Sequence, residues 1–418
     1  MKNGIKITAV LLAIIVALGG LGVLEYMGAF RKQEPYPYVF VHGLNGWGTN
    51  AAGDNLVDYW GATAGNLMEM LQAQGVVCCA PSVGEFNSAW DRACELYAQL
   101  MGCTVDYGAA HSEQYGHERF GKSYDTPLVP DWGKRSGTRK INLIGHSFGG
   151  ASVRTFAQLM TEGSEAERTA GGSETSALFT GGKADWIFSI TALAAPHNGT
   201  TLFYALAGGS SGSLISGLLE GASALLDITH ARSLLERLGI SLDGKAGLPF
   251  DEMLRLSQTA DNSYAELTLD GAKTLNEWVK PLPKVYYFSY PYDATKPALL
   301  TILNRERRVG DSEMMLPLQP LGAILGAYNK NTVNDIPVDD TWLPNDGMVN
   351  TISETAPFGD PKADFNAEKI ERGVWNVMPT QRGDHGKAIG LFQSEEWLVN
   401  FYMEQIKRIN TLSERDWR

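Results

Sequence analysis

The amino-acid sequence predicts an α/β protein with a mostly parallel central sheet that has helices on both faces. Short apolar segments alternate with helical segments along most of the chain, and the apolar segments have no polar side. Strands that are apolar on both sides are typical of parallel sheets enclosed between helices. The 418 residues are enough for one large domain or two smaller ones, and the sequence contains no internal repeat.

The alternation begins with the strand YPYVFVHG at 36–43, which precedes the helix AGNLMEMLQAQG. That helix ends at Gly75 and is followed by the strand VVCCAPS. The strand KINLIG leads into the helix ASVRTFAQLM, and later strands are DWIFSITALAAP and KVYYFSYP. The segment SEEWLVNFYMEQIKRIN predicts a closing helix. Because consecutive strand–helix units build parallel sheets, we expect these strands to share one sheet.

Three insertions interrupt the alternation. The first, about 85–135, carries Trp, Tyr and His among polar residues, and the second, GSEAERTAGGSETSALFTGG, is expected to be a solvated surface loop. The third, about 202–239, places Leu214, Leu218 and Leu225 at helical spacing and Ser216 and Glu220 on a polar stripe. Its large apolar face, next to the glycine-rich AGGSSGS, is typical of a mobile helical lid. Permanent packing on the core is the alternative.

The N-terminal segment 1–30 is separate from this domain, which we expect to extend from 36 to 418. Lys2 and Lys6 precede an uncharged run at 7–24. The apolar region of a secretory signal has ~7–15 residues, whereas a membrane-spanning helix needs ~20. We expect an uncleaved membrane anchor, with a cleaved signal or a buried core helix as alternatives. With the two lysines inside, the rest of the chain lies outside the cytoplasm.

Charge and cysteine content exclude two classes of protein. The net charge is −12 and no run of Lys or Arg occurs, so we expect no nucleic-acid partner. The four cysteines are too few for a disulfide scaffold. A bridge between Cys94 and Cys103 would be awkward at the end of a helix, so we expect free thiols.

A serine lies between a predicted strand and a predicted helix in RKINLIGHSFGGAS, at 139–152. The sequence GHSFG around Ser147 fits the G-x-S-x-G nucleophile elbow, a turn too tight for a Cβ two residues before or after the serine. The turn lifts the hydroxyl to a helix N-terminus, where partial positive charge favours a developing anion. We expect Ser147 to be a nucleophile, and an ordinary glycine-rich turn is the alternative.

A serine nucleophile needs a base, and in this arrangement an acid and then a histidine follow the serine along the chain. Three histidines follow Ser147, namely His197, His230 and His385. His197 leaves little sequence for an acid and His230 falls in the third insertion, whereas His385 lies in a polar loop before the final helix. The Asn-Asp-Gly turn makes Asp346 the best candidate acid. Nearby alternatives are Asp335, Asp339 and Asp340.

An oxyanion intermediate needs preorganised N–H donors. One expected donor is the backbone amide of Phe148, directly after the serine. The other is the amide of Leu44 in VFVHGLNGWG, where the glycines at 43 and 46 let the backbone approach a substrate. A plain strand-ending turn at His42 and Gly43 is compatible with the same geometry.

Several longer segments carry a family resemblance. They are VHGLNGWG, DYWG, WDRACELYAQLMGCTVDYGAAH, GHSFGG, APHNGTTL, WLPNDGMVNTIS and GVWNVM with the later GDH. From about residue 36 to the C-terminus, the chain resembles the staphylococcal and thermoalkaliphilic bacillary triacylglycerol lipases, which contain zinc. The resemblance implies an α/β-hydrolase fold, a catalytic triad of Ser147, Asp346 and His385, and hydrolysis of acylglycerol esters at a lipid interface.

The same resemblance implies a structural zinc site. Its ligand pattern falls on Asp91, His111, His117 and Asp261. Two imidazoles and two carboxylates suit a closed tetrahedral Zn²⁺ site with no open position for water. Such a site would hold the first insertion on the main body and contribute to the folding free energy. From spacing alone, His111 and His117 would be read as solvated loop histidines.

The chain also departs from the family pattern. The family's calcium site uses acidic residues where this chain has Lys387 and Phe392, so we do not expect calcium. Phe148 replaces a usually polar residue, and Leu44 stands where an aromatic residue is common. We expect a triacylglycerol lipase; a short-chain carboxylesterase or phospholipase on the same scaffold, and a catalytically silent surface-binding protein, are the alternatives.

Overall fold

The computed structural model describes residues 35–49, 58–134, 138–207, 255–299, 306–328, 332–333 and 335–416. These residues form a central seven-stranded sheet in which every neighbouring pair is parallel. In chain order its strands are β1 (Tyr38–Val41), β2 (Cys78–Cys79), β3 (Ile141–His146), β4 (Ile187–Leu193), β5 (Tyr286–Tyr290), β6 (Lys362–Asp364) and β7 (Trp375–Val377). Their order in space is β6-β7-β5-β4-β3-β1-β2. The predicted parallel sheet is confirmed.

Helices and short strand pairs surround this sheet. The described helices are α1 (Leu67–Ala73), α2 (Ala89–Met101), α3 (Ala109–Tyr115), α4 (Gly149–Glu162), α5 (Glu165–Gly171), α6 (Leu202–Ala207), α7 (Ser263–Glu266), α8 (Leu269–Trp278), α9 (Gln319–Leu325) and α10 (Glu395–Asp416). The antiparallel pairs are Thr104–Asp106 with Phe120–Ser123, Thr295–Pro297 with Arg308–Gly310, and Thr332–Val333 with Ile336–Pro337. Tyr292–Asp293 pairs with Gln381–Arg382 in parallel.

The two largest hydrophobic clusters lie on opposite faces of the sheet, because successive side chains of a strand point to opposite sides. Tyr38 and Phe40 of β1 belong to the core that α1 and α10 cover, where the rings of Phe40 and Tyr402 lie 5.6 Å apart. Val39 and Val41 belong to the core that α2 and α4 cover. Helices therefore protect both faces, as predicted.

Two segments differ from the sequence-based expectations. Strand β6 was not predicted, because its three residues are exposed at the edge of the sheet and carry no apolar pattern. The second insertion was predicted to be a solvated loop, and this was wrong. It contains α5, which begins where the Ser164 side chain accepts a hydrogen bond from the Glu167 amide, and it buries Leu178 and Phe179.

Two further predictions concern residues that the structure does not describe, or describes only in part. The predicted anchor or signal at 1–30 and most of the predicted lid at 202–239 lie outside the described residues. Within the described residues, no helix is both long and apolar enough to cross a bilayer. All four cysteines are free thiols, as expected.

Candidate active site

Ser147 lies on a strained turn between β3 and α4. Its φ of 55° is in the left-handed region, which non-glycine residues rarely adopt. A Cβ on Gly145 would lie 2.5 Å from the carbonyl group of Gly149, and a Cβ on Gly149 would lie 2.2 Å from the carbonyl oxygen of Val41. The Ser147 amide donates a 2.9 Å hydrogen bond to the carbonyl of Leu193, which ties the turn to β4. The serine is thereby raised at the carboxyl edge of the sheet.

His385 and Asp346 form a hydrogen-bonded pair at the same edge. The Nδ1 atom of His385 lies 2.5 Å from Oδ2 of Asp346, and the His385 amide donates to the Asp346 carbonyl at 3.0 Å. The other carboxylate oxygen, Oδ1, accepts hydrogen bonds from the amides of Met348 and Val349 at 2.9 and 2.7 Å. Because Asp346 holds the proton of His385 on Nδ1, the Nε2 atom is left as the basic ring nitrogen.

Ser147 and His385 line one cleft of about 70 Å³. Its other walls are mainly apolar, with Leu44, Phe203, Leu267, Leu318 and Leu391 among them. A mainly apolar cleft with a few polar groups suits a ligand that is largely hydrocarbon. The Phe148 side chain is buried in a core cluster with Phe203 and Leu267, so it supports this wall from behind.

The alternative residues that the structure describes do not line this cleft. His197 is buried elsewhere, with its ring centroid 4.5 Å from that of Trp375. The alternative acids Asp335, Asp339 and Asp340 are exposed. His230 lies outside the described residues.

The loop after β1 passes directly beside the serine. A Cβ on Gly43 would lie 3.1 Å from Ser147 Oγ. The Gly43 carbonyl accepts hydrogen bonds from His42 Nδ1 at 2.9 Å and from Arg92 Nη1 at 3.3 Å. The peptide unit is planar and trans, so fixing this carbonyl fixes the Leu44 N–H in the opposite direction. Among the described residues, neither the Leu44 amide nor the Phe148 amide has a hydrogen-bond partner.

Sequence reasoning missed Arg92, which holds this loop. The side chain is fully buried and also donates from Nη2 to the His42 carbonyl. Its guanidinium carbon lies 5.2 Å from the centre of the Phe148 ring, so it touches both expected oxyanion segments. His42 is also buried and accepts the Val83 amide on Nε2 at 3.1 Å. Burial and then Arg92 lower the pKa of His42 to about 3, so the ring stays neutral.

Tyr59 and His146 form a second arrangement that sequence reasoning missed, and they connect three loops at the sheet edge. The Gly43 amide donates to the Tyr59 hydroxyl at 2.8 Å, and this hydroxyl lies 2.6 Å from His146 Nδ1. The His146 Nε2 atom lies 2.9 Å from the carbonyl of His385, which can only accept a hydrogen bond. His146 therefore carries its proton on Nε2 and accepts from Tyr59, and burial lowers its pKa well below the usual value. The chain Gly43–Tyr59–His146–His385 links the oxyanion loop to the loop of the candidate base.

The four expected metal ligands form one group. One ligand atom from each of Asp91, His111, His117 and Asp261 can be chosen so that all lie within 4.8 Å of one another. The His111 Nε2 atom lies 3.2 Å from Asp91 Oδ1 and 3.1 Å from Asp261 Oδ1, and His117 Nε2 lies 3.3 Å from Asp261 Oδ2. These distances match the ~3.3 Å edges of a tetrahedron with metal–ligand bonds of ~2.0–2.1 Å. The group therefore fits a single small cation.

The surroundings of this group orient its ligands. The Nδ1 atom of His117 donates to the Glu118 carbonyl at 2.9 Å, which leaves Nε2 free to bind a metal. The Trp90 ring stacks on His111 at 5.0 Å. Glu167, in the insertion predicted to be a loop, accepts the amides of Ala110 and His111 at the start of α3. The insertion thus helps to position one ligand, a role that the sequence analysis missed.

Lys387, two residues after His385, stands where the calcium pattern of the family has an acidic residue. Lys387 Nζ donates to the Arg382 carbonyl at 2.6 Å and lies 3.2 Å from Glu313 Oε2. An ammonium group bound to a carbonyl and a carboxylate occupies the kind of oxygen environment that Ca²⁺ prefers. Phe392, at the second position of the calcium pattern, is exposed.

Comparison with protein families identifies the group to which the chain belongs. The sequence matches the family described as "Lipase-like, C-terminal domain" over residues 34–210 and 252–409. The chain belongs to this family. Lipase 1 of Staphylococcus aureus is 33% identical to this lipase-like chain over 382 residues, which are 88% of this chain and 52% of that protein. The lipase of Staphylococcus epidermidis is 31% identical, and the match covers 86% of this chain and 51% of that lipase. The chain therefore spans about half the length of these curated relatives.

The solved structures that resemble this chain include two lipases. Staphylococcus hyicus lipase has a TM-score of 0.72 and 29% identity, and the match covers 93% of this lipase-like chain and 99% of that chain. Lipase 1 from Pelosinus fermentans has a TM-score of 0.71 and 34% identity, with 90% and 99% covered. EstA from Clostridium botulinum has a TM-score of 0.73 and 34% identity, with 90% and 87% covered. The predicted α/β-hydrolase fold is confirmed.

Proposed function

We propose that this protein is a carboxylic ester hydrolase of the triacylglycerol lipase type, with Ser147, His385 and Asp346 as its catalytic triad. One observation carries the proposal. A serine on a strained turn and a histidine whose Nδ1 is held by a buried carboxylate line the same apolar cleft, although they are far apart in sequence. Family membership and the lipases among the relatives support the same activity.

In the proposed mechanism, Ser147 Oγ attacks the ester carbonyl carbon while His385 Nε2 accepts the hydroxyl proton. Asp346 keeps the imidazole oriented and stabilises the imidazolium that forms. His385 then gives the proton to the leaving alcohol, and an acyl group remains on Ser147. A water molecule then gives a proton to His385 Nε2 and attacks the acyl carbon, and His385 returns the proton to Ser147 Oγ as the bond to the carboxylic acid breaks.

The negative charge of the tetrahedral intermediate would be stabilised by the amides of Leu44 and Phe148. Arg92 and His42 support this role because they hold the Gly43 carbonyl and thus the direction of the Leu44 N–H. A single donor of this kind is typically worth ~10²–10³ in rate.

We also propose that the group of Asp91, His111, His117 and Asp261 holds a structural Zn²⁺. Four protein ligands fill a tetrahedral shell, so no position is left for a reacting water. Bound there, the ion would join α2, α3 and Asp261, which lies two residues before α7. Its role would be to stabilise the fold.

The proposed substrate is an acylglycerol at a lipid interface, in an extracytoplasmic location. The apolar cleft supports a substrate with hydrocarbon chains. The location is supported by Lys2 and Lys6 ahead of the uncharged segment 7–24.

The test combines active-site labelling with hydrolysis rates. A fluorophosphonate should label the peptide that contains Ser147, and Ser147→Ala should abolish both labelling and ester hydrolysis, because this serine is the proposed nucleophile. Ser152→Ala is the matched control, since this serine is buried in the next turn of α4 and bonds only to the Phe148 carbonyl. Rates are measured on soluble p-nitrophenyl esters and on triglyceride emulsions.

Each outcome separates the alternatives. A rate that rises at the emulsion interface supports a lipase, whereas high activity only on soluble short esters indicates the short-chain carboxylesterase. Absence of labelling and hydrolysis in the wild-type protein would indicate a silent binding protein. Labelling at another residue would overturn the triad.

A further inference from the structure

Glu354 is a buried carboxyl group in contact with Asp346, and the mechanism above gives it no role. It ends the 3₁₀ helix Thr351–Glu354, and none of its surface is exposed. Its Oε2 atom accepts the Tyr292 amide at 2.6 Å, while Oε1 receives no N–H or O–H bond from any described residue. The side chains of Glu354 and Asp346 lie within hydrogen-bonding distance of each other.

Two carboxyl groups can make such a contact only if one of them carries a proton, since two buried carboxylates repel each other. Asp346 already accepts three hydrogen bonds, from two amides and from His385 Nδ1. These three donors all use the Asp346 carboxyl group as an acceptor. Glu354 accepts only one, so the shared proton belongs to Glu354.

The neighbouring titratable groups also favour a protonated Glu354. Asp346 and Asp293 add negative charge near Glu354, and the buried Tyr292 hydroxyl has no hydrogen-bond partner among the described residues. Arg308 is paired with Asp293, and within the described residues no cation forms an ion pair with Glu354. Burial, followed by the charge of Asp346, raises the pKa of Glu354 well above its usual value.

We propose that Glu354 is a protonated positioning residue that donates a hydrogen bond to the Asp346 carboxylate and holds it against the imidazole of His385. The proposal rests on the proposed function, in which Asp346 is the triad acid. A neutral donor fixes the carboxylate without adding charge. An ionised Glu354 would instead place a second negative charge beside the pair, which favours a protonated ring that cannot accept the serine proton.

Steady-state kinetics of two Glu354 variants test whether this residue positions Asp346. Glu354→Leu removes the donor, and we expect kcat per titrated active site to fall about tenfold with little change in KM. Glu354→Gln keeps the shape, the neutral state and a donor, so it should restore most of the lost rate. The acid limb of its kcat/KM profile should match that of the wild type. If Glu354 were ionised in the wild type, the Gln variant would shift that limb to lower pH by about one unit or more, which would overturn the proposal.

Infrared difference spectra test the protonation state without using activity. The wild-type minus Glu354→Gln spectrum at neutral pH should contain the carbonyl stretch of a protonated carboxyl group. Glu368→Gln, which changes an exposed carboxylate, is the matched control and should give only carboxylate bands. Carboxylate bands in the Glu354 difference spectrum would overturn the inference while leaving the Ser147 result intact. Failure of the Ser147 test would instead remove the proposed function and leave the protonation result standing.

Discussion

Arg92 shows how a single side chain decides the direction of the Leu44 amide, the proposed oxyanion donor. Two of its N–H groups bind the successive carbonyls of His42 and Gly43, and the second of these carbonyls shares a peptide plane with the Leu44 amide. Burial lowers the pKa of Arg92 to about 10, so the guanidinium remains charged at neutral pH. Hydrogen bonds from a charged donor are about twice as strong as neutral ones, which makes the loop direction well defined.

We expect Arg92→Met to lower kcat by about tenfold to a hundredfold, because the Leu44 donor is no longer held towards the intermediate. The KM for a soluble ester should change little, since the apolar cleft binds the ground state. The measurement is kcat and KM per titrated active site.

Arg154→Met is the matched control for this prediction. Arg154 is a buried arginine of α4 that donates to Asn276 and to the Val279 carbonyl, and it makes no contact with the β1 loop. It should lose stability but keep its kcat per active site. Equal losses of kcat in both variants would mean that Arg92 acts only through the stability of the fold.

At the level of elements, the carboxyl ends of β1, β3 and β7 lead into three loops that share one hydrogen-bonded chain. Tyr59 and His146 lie between the Gly43 amide and the His385 carbonyl, and both rings are buried. Each end of this chain is a backbone group next to a proposed catalytic atom. The network therefore fixes the distance between the oxyanion loop and the base loop, which no single element could do.

The proposed metal site also connects several structural elements. The proposed ion would join α2, α3 and Asp261, which lies two residues before α7. We expect removal of the ion with a chelator to lower the melting temperature by roughly 5 °C, as follows from an ion present at about 1,000 times its Kd. Zinc should restore the melting temperature, and calcium should not, because Lys387 stands in the calcium pattern of the family and its Nζ is already bound to the Arg382 carbonyl and Glu313.

A variant separates the metal effect from chelation. His117→Gln removes one ligand and should abolish both metal binding and the response to the chelator. Glu118→Gln is the matched control, since this exposed neighbour offers only its carbonyl to His117. Metal content per protein is measured together with the melting temperature. Protein that contains no metal yet melts at the same temperature as the zinc-loaded form would refute the structural role.

The sequence predicted the elements whose signal is local and missed those that depend on contacts. The strands β1, β3, β4 and β5 follow from apolar runs, and the turn around Ser147 follows from its glycines. Strand β6 is polar and exposed, so only its pairing with β7 makes it a strand. The helix α5 lies in a segment rich in polar residues and glycine, and the same segment is attached to the core by the buried side chains of Leu178 and Phe179.

The candidate site shows the same difference between residues with a local sequence signal and residues that depend on distant contacts. His385 and Asp346 could be selected by chain order and turn chemistry, and the structure brings them within 2.5 Å. Arg92 and Tyr59 contact partners that are distant in the sequence, so a local pattern could not show what they bind. The one local signal was the charge of Arg92 among the buried residues of α2.

For the whole molecule, the net charge of −12 sets how the protein approaches a surface. The proposed substrate is an uncharged ester, so the chemistry in the cleft has no long-range dependence on charge. An interface that carries anionic lipid or released fatty acid, however, repels a protein of the same sign over about one Debye length, ~10 Å at 0.1 M salt. Adsorption, not the chemical step, should therefore carry the salt dependence.

We expect the initial rate on an emulsion with an anionic surfactant to rise severalfold when salt is raised from about 0.05 M to about 0.5 M, because screening removes the repulsion. The same emulsion made with a neutral surfactant is the matched control and should show little change, as should a soluble uncharged ester. Initial rates and the amount of adsorbed protein are measured together, so that adsorption is separated from turnover. A rate on the anionic emulsion that is highest at low salt would show that a locally positive face binds the interface, against the net charge of the molecule.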